Sequence, residues 1–142
     1  MKTSIATVSI SGNFSEKLEA IATAGFDGIE IFEQDFIAHD GDPREVGEMI
    51  RAMGLEITLF QPFRDFEGLP KQLRTKALDR AEQKFDLMQE LGTDLILICS
   101  SCHPEALGGI DRAAADFYEL GERAAKRGLR VGYEALAWGR YV

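Results

Sequence analysis

Cysteine is scarce in this chain: two residues in 142. Cys99 and Cys102 form a lone CxxC, with no second pair to complete a zinc site and no helix N-terminus to acidify a thiol. Histidine is equally rare, and by this reading His39 and His103 both fall in loops, where a single imidazole is ordinarily solvated. Long apolar runs are missing too. Nothing approaches the ~18 consecutive apolar residues of a membrane span, so no membrane partner is expected. No charged-then-apolar leader precedes the first strand, which argues against a secretory signal and makes the cytoplasm the default location. Basic charge is the last shortage: 16 Lys and Arg against 24 Asp and Glu leave a formal charge of −8. So acidic a surface repels phosphate backbones, and nucleic acid is not expected as a partner.

What is present is a repeat of one joint. At Gly25, Gly54, Gly92 and Gly128 a helix-like run ends on glycine and turns at once into a short apolar strand. Glycine past a helix adopts the left-handed conformation that the cap needs. The joints lie roughly 30 to 40 residues apart, the scale of a strand–helix unit. Apolar runs such as Leu95–Cys99 read as strands buried on both faces. The fold class is therefore α/β, a (β/α) barrel or a doubly wound parallel sheet.

The sequence predicts five strands, at Ser4–Ile10, Gly28–Phe32, Glu56–Phe60, Leu95–Cys99 and Arg130–Ala135, in sequential order. Four helices are predicted between them: one from an N-cap at Ser15, one from Asp42 and Pro43, one over Lys71–Leu91 and one from near Asp111 to Arg127. A closed eight-stranded barrel takes roughly 250 residues. Residues 1–142 are accordingly expected to form a single incomplete domain, strands one to five of a (β/α)8 barrel. The finish at Tyr141 and Val142 shows no closing helix or cap. Two readings follow: the N-terminal portion of a longer barrel, or a half-barrel that self-associates through its open edges. In either, Ile57, Leu59 and Glu30 are expected to line the barrel.

Barrels keep their chemistry at the C-terminal ends of their strands, which singles out a few polar residues. Glu30 interrupts an apolar strand, either as a functional acid or as a structural one paired with a lysine or amide on the next strand. After strand three, Gln61, Arg64, Asp65 and Glu67 are interleaved with phenylalanines. Arg64 has the planar fork that grips a carboxylate, or it pairs with Asp65 or Glu67. Glu134 is the sharpest signal. It alternates with Tyr133 on strand five and shares a face with Gly132, which leaves room beneath it. A carboxylate there asks for a hard divalent metal or a buried ion pair.

The runs Ser4–Gly12 and Gly25–Glu33 resemble the sugar phosphate isomerase/epimerase superfamily, the xylose isomerase-like TIM barrels. More narrowly, Thr58-Leu59-Phe60-Gln61-Pro62-Phe63-Arg64-Asp65-Phe66-Glu67-Gly68, then Lys84–Asp94 and Gly132-Tyr133-Glu134-Ala135-Leu136-Ala137-Trp138-Gly139-Arg140, resemble the bacterial 3-dehydroshikimate dehydratase family. That resemblance implies a lyase converting a small molecule, 3-dehydroshikimate, to protocatechuate in quinate and shikimate breakdown. It implies a divalent metal (Mg, Mn or Co) in the complete protein, with Glu134 as the ligand from strand five. The other ligands and the catalytic histidine would lie beyond Val142, so the isolated chain is expected to bind metal weakly and to be inactive. Arg64 is the candidate for the substrate carboxylate, and Gln61 and Glu30 for hydroxyls. Many members carry a C-terminal part similar to 4-hydroxyphenylpyruvate dioxygenase. The alternatives are an isomerase or epimerase acting on a sugar phosphate or hydroxy-keto acid, and a non-catalytic half-barrel. An endonuclease of the same fold fits poorly with two histidines and a charge of −8.

Overall fold

The computed structural model describes residues 1–140; the finish at Tyr141 and Val142 lies outside the described residues. Five strands, β1 (Ser4–Ala6), β2 (Gly28–Phe32), β3 (Glu56–Phe63), β4 (Leu95–Cys99) and β5 (Arg130–Glu134), form one sheet in the order β1-β2-β3-β4-β5. Five α-helices connect them: α1 (Phe14–Thr23), α2 (Glu33–His39), α3 (Pro43–Ala52), α4 (Lys71–Leu91) and α5 (Ile110–Lys126). The pairings β1 with β2, β2 with β3 and β4 with β5 are all parallel, as successive βα units require. The four joint glycines all stand at positive φ, between 71° and 81°, where a side chain would be strained.

The chain packs as two compact units. The first comprises Met1–Gln61 and Leu87–Asp94. Its core joins Leu18 and Ile21 of α1, Ile29 and Ile31 of β2, Val46 and Ile50 of α3, and Phe60 of β3, all buried. Gly28 lets β2 and β3 close up, since a Cβ there would meet the Glu56 carbonyl at 2.8 Å. The second unit comprises Pro62–Asp86 and the chain from Leu95 onward. Phe63, Phe66, Phe85, Ile96, Ile98 and Leu120 form its core.

Four local expectations need correction. Strand β1 ends at Ala6, and Thr7–Ser9 form a 3₁₀ turn. The buried Thr7 hydroxyl accepts the Phe32 N–H at 3.0 Å, doing the work of a ladder carbonyl. The cap of α1 is Asn13, not Ser15; it and Glu16 form a reciprocal capping box. Helix α2 stands where the sequence predicts a loop, so the helices number five rather than four. His39 accordingly ends a helix, its ring edge-on to Phe14 at 5.5 Å. Finally, Ile57 does not meet water as the lining of an incomplete barrel would: it is buried, at 6% exposure. The register slips between Ile29/Glu30 and Ile57/Leu59, so Thr58 is the extra residue of a bulge and Ile57 parts company with Leu59.

Candidate active site

In the first unit, Glu30 sits on β2 and Gln61 two places before the end of β3. Pairing sets Phe32 opposite Gln61, and the longer reach of the two side chains closes the rest. The Gln61 amide donates to Glu30 Oε2 at 2.9 Å. Glu30 therefore has the amide partner on the neighbouring strand that its half-buried carboxylate requires.

In the second unit the polar groups gather after β3, β4 and β5. Glu134 ends β5 and is exposed. The Cys99 thiol donates to its Oε2 at 3.4 Å. Cys99 itself is buried, and burial first, then the Glu134 carboxylate, push its thiol up to about 11. It stays a neutral donor at physiological pH, which removes a thiolate CxxC from consideration. Both cysteines are free, and the Cys102 thiol is exposed. Tyr133 takes the opposite face of β5, packing edge-on against Phe117 of α5 at 4.8 Å, as strand alternation predicts.

Arg64 is exposed just past β3. The two carboxylates that might have neutralised it point elsewhere: Asp65 accepts the Cys102 N–H at 2.9 Å, and Glu67 accepts the Ser101 N–H at 2.7 Å. No ion pair of the Arg64 guanidinium occurs among the described residues. Its charge acts on Cys99 in the direction that favours the thiolate, which sets it within electrostatic reach of the β4 end. An available guanidinium there suits an anionic ligand. His103 lies in the loop after β4, with Nδ1 accepting the Glu105 N–H at 3.1 Å.

Glu67 is what sequence reasoning underestimated. It is fully buried, and besides Ser101 its Oε1 accepts the Tyr133 hydroxyl at 3.4 Å. Its Oε2 has no partner among the described residues. Burial is the largest influence on its carboxyl and holds it above the ordinary glutamate range, against the downward pull of the Ser101 N–H, its own N–H and the Tyr133 hydroxyl. The signal for burial was its setting between Phe66 and Gly68-Leu69, a break in an otherwise polar loop.

No cluster of three or more His, Cys, Asp and Glu side chains suited to a metal occurs among the described residues. The donor chemistry at Glu134 nonetheless fits one ligand of a hard cation: an exposed carboxylate at a strand end, engaged among the described residues only by a weak thiol donor.

A parallel sheet in sequential order with polar side chains at its strand ends defines a class. Residues 18–142 match the family model described as xylose isomerase-like TIM barrel, and the chain belongs to that family. Among individual relatives, it is 62% identical over all 142 residues to proteins of Pseudomonas putida and Pseudomonas aeruginosa named 3-dehydroshikimate dehydratase. It spans 22% of the length of each, about a fifth of those relatives. A solved xylose isomerase-like TIM barrel/4-hydroxyphenylpyruvate dioxygenase fusion protein matches the whole chain with a TM-score of 0.96 and 62% identity, over 23% of its own length. An IolI protein solved with a zinc atom superposes on 96% of the chain with a TM-score of 0.82; at 16% identity, over 52% of that protein, it shows the fold alone.

Proposed function

We propose that this chain is the first five strands of a 3-dehydroshikimate dehydratase, a hydro-lyase that converts 3-dehydroshikimate to protocatechuate. The observation that carries the reading is the 62% identity, unbroken over the whole chain, to two proteins bearing that name. The complete protein would hold a divalent metal, magnesium, manganese or cobalt, with Glu134 as the ligand contributed by this chain. When bound, such a cation polarises a ketone and stabilises negative charge developing beside it. Arg64 would grip the substrate carboxylate, its neighbouring acids being occupied with backbone amides. Glu30 and Gln61 are assigned to substrate hydroxyls. The fusion partner named in the solved relative makes a 4-hydroxyphenylpyruvate dioxygenase-like C-terminal part our expectation for this protein as well. A cytoplasmic location remains our expectation for the enzyme; no helix among the described residues is long and apolar enough to cross a membrane.

The test is formation of protocatechuate from 3-dehydroshikimate by the complete protein, run beside a panel of ketoses and ketose phosphates. Turnover of a ketose instead would move the assignment to an isomerase or epimerase of the same fold. Glu134→Gln should cost at least about a hundredfold in activity and lower metal content, since a neutral amide is a poorer ligand for a hard cation. Retention of both in that variant would make Glu134 an ordinary strand-end acid.

A further inference from the structure

We propose that Glu67 is a positioning residue for the strand end that carries Glu134, an inference that rests on the reading of Glu134 as a metal ligand. Glu67 lies in the β3–α4 connection, remote in sequence from β5, yet its side chain is wholly buried. Its Oε1 receives the Tyr133 hydroxyl at 3.4 Å and the Ser101 N–H at 2.7 Å. Tyr133 immediately precedes Glu134. Successive side chains of a strand point to opposite faces, so holding the Tyr133 ring between Glu67 and Phe117 fixes the rotation of β5 that presents Glu134 on the other face.

The segment leaving β4 is held from the same side. Three consecutive N–H groups are each taken by a different acceptor: Ser100 by the Glu134 carbonyl at 2.9 Å, Ser101 by Glu67 and Cys102 by Asp65 at 2.9 Å. Asp65 adopts a φ of +53°, uncommon for a residue with a side chain, which bends the connection so that both acids reach this one stretch. The Ser100 link ties the segment to the backbone of Glu134, and Cys99, one residue earlier, touches the Glu134 carboxylate. Glu67 thus meets both neighbours of Glu134: the residue before it in β5 and the segment bonded to its carbonyl.

A merely structural role does not call for a carboxyl here. Glu67 Oε2 is buried with no partner among the described residues, a cost that a smaller or apolar side chain would avoid. Unfavourable local chemistry of this kind is tolerated where geometry is set for a site. Groups that orient a metal ligand from behind typically change metal affinity about 10- to 100-fold when removed.

Manganese binding to the complete protein, followed by the electron paramagnetic resonance signal of free Mn²⁺, reads this directly, with a melting curve for each variant. Glu67→Leu should weaken Mn²⁺ binding by about tenfold or more. Glu67→Gln, which keeps an oxygen acceptor in place, should stay within about threefold of wild type on the same scale. Tyr133→Phe removes only the hydroxyl and should weaken binding by about threefold without moving the melting temperature, and it decides the matter alone should Glu67→Leu not fold. Glu134→Gln supplies the reference. If it loses manganese while Tyr133→Phe and a folded Glu67→Leu bind it as wild type does, the positioning role is overturned and the ligand assignment stands. If Glu134→Gln itself binds manganese normally, the ligand assignment falls and takes the positioning role with it.

Discussion

Glu67 also has a consequence for stability, and its sign follows from burial. Its carboxyl titrates above the ordinary range in the folded chain. A raised acid contributes stability that is complete below its unfolded value, near 4.3, and is lost as pH rises through the folded value. Glu67→Gln is uncharged throughout and has nothing to lose over that range. The variant should gain on wild type as pH rises above the unfolded value, the gain levelling off once Glu67 ionises in the folded chain, as read by melting curves at stepped pH; curves that stay parallel throughout would mean that burial does not raise this carboxyl. Gly47 makes a second prediction at this scale. A Cβ there would stand 2.3 Å from the Leu91 carbonyl oxygen, which also accepts the Arg51 guanidinium at 2.9 Å. Backbone cannot yield as a flexible side chain does, so Gly47→Ala should cost about 1–3 kcal/mol in a denaturant melt. An unchanged midpoint would show that α3 can slide.

Elements are joined in the second unit by a ladder of ions between α4 and α5, and its rungs are unequal. Asp116 of α5 is buried at 3% exposure, accepting the Gly68 N–H at 2.8 Å and the Arg74 guanidinium at 2.5 Å. Arg74 continues to Glu119, Glu119 to Arg123, Arg123 to Glu82 and Glu82 to Arg127, which also meets Asp86. Asp116→Ala strands a buried N–H and takes one of two carboxylates from the half-buried Arg74, and should cost roughly 1–3 kcal/mol. Asp86→Ala removes a carboxylate whose side chain is 67% exposed and should cost under about 0.5 kcal/mol, less still in high salt. Equal losses in the two variants would mean the ladder acts as one unit. Element boundaries were most legible where apolar periodicity is strong: β2, β4 and α4 fall at Gly28–Phe32, Leu95–Cys99 and Lys71–Leu91 as read from the sequence. Helix α2 was not legible because its seven residues bury only Phe36 and lack a side-chain cap. Tertiary contact supports it: Asp35 pairs with Lys17 at 2.8 Å, with both side chains largely shielded from solvent. Strand β3 runs on through Pro62 to Phe63, three residues beyond the expected end at Phe60.

The molecule as a whole presents several large apolar side chains to solvent, including Ile110 at 82%, Trp138 at 74% and Tyr118 at 73% exposure. From this, together with a parallel sheet whose outer strands are β1 and β5, we expect residues 1–142 prepared by themselves to self-associate. Sedimentation velocity from low to high micromolar concentration should show an average mass that climbs; a constant monomer mass would remove the expectation. The composition, the four glycine joints and the alternation around Glu134 were enough to establish an α/β chain of repeated strand–helix units and a carboxylate at the end of β5, because each depends on neighbours in sequence, whereas the sequential order of the strands rested on the family resemblance. The Glu30–Gln61 pair, the bulge that buries Ile57, the availability of Arg64 and the burial of Glu67 were decided only by the tertiary structure. Each turns on which backbone amide or neighbouring strand is reached from a distant part of the sequence, and periodicity along one segment carries no information about a partner on another.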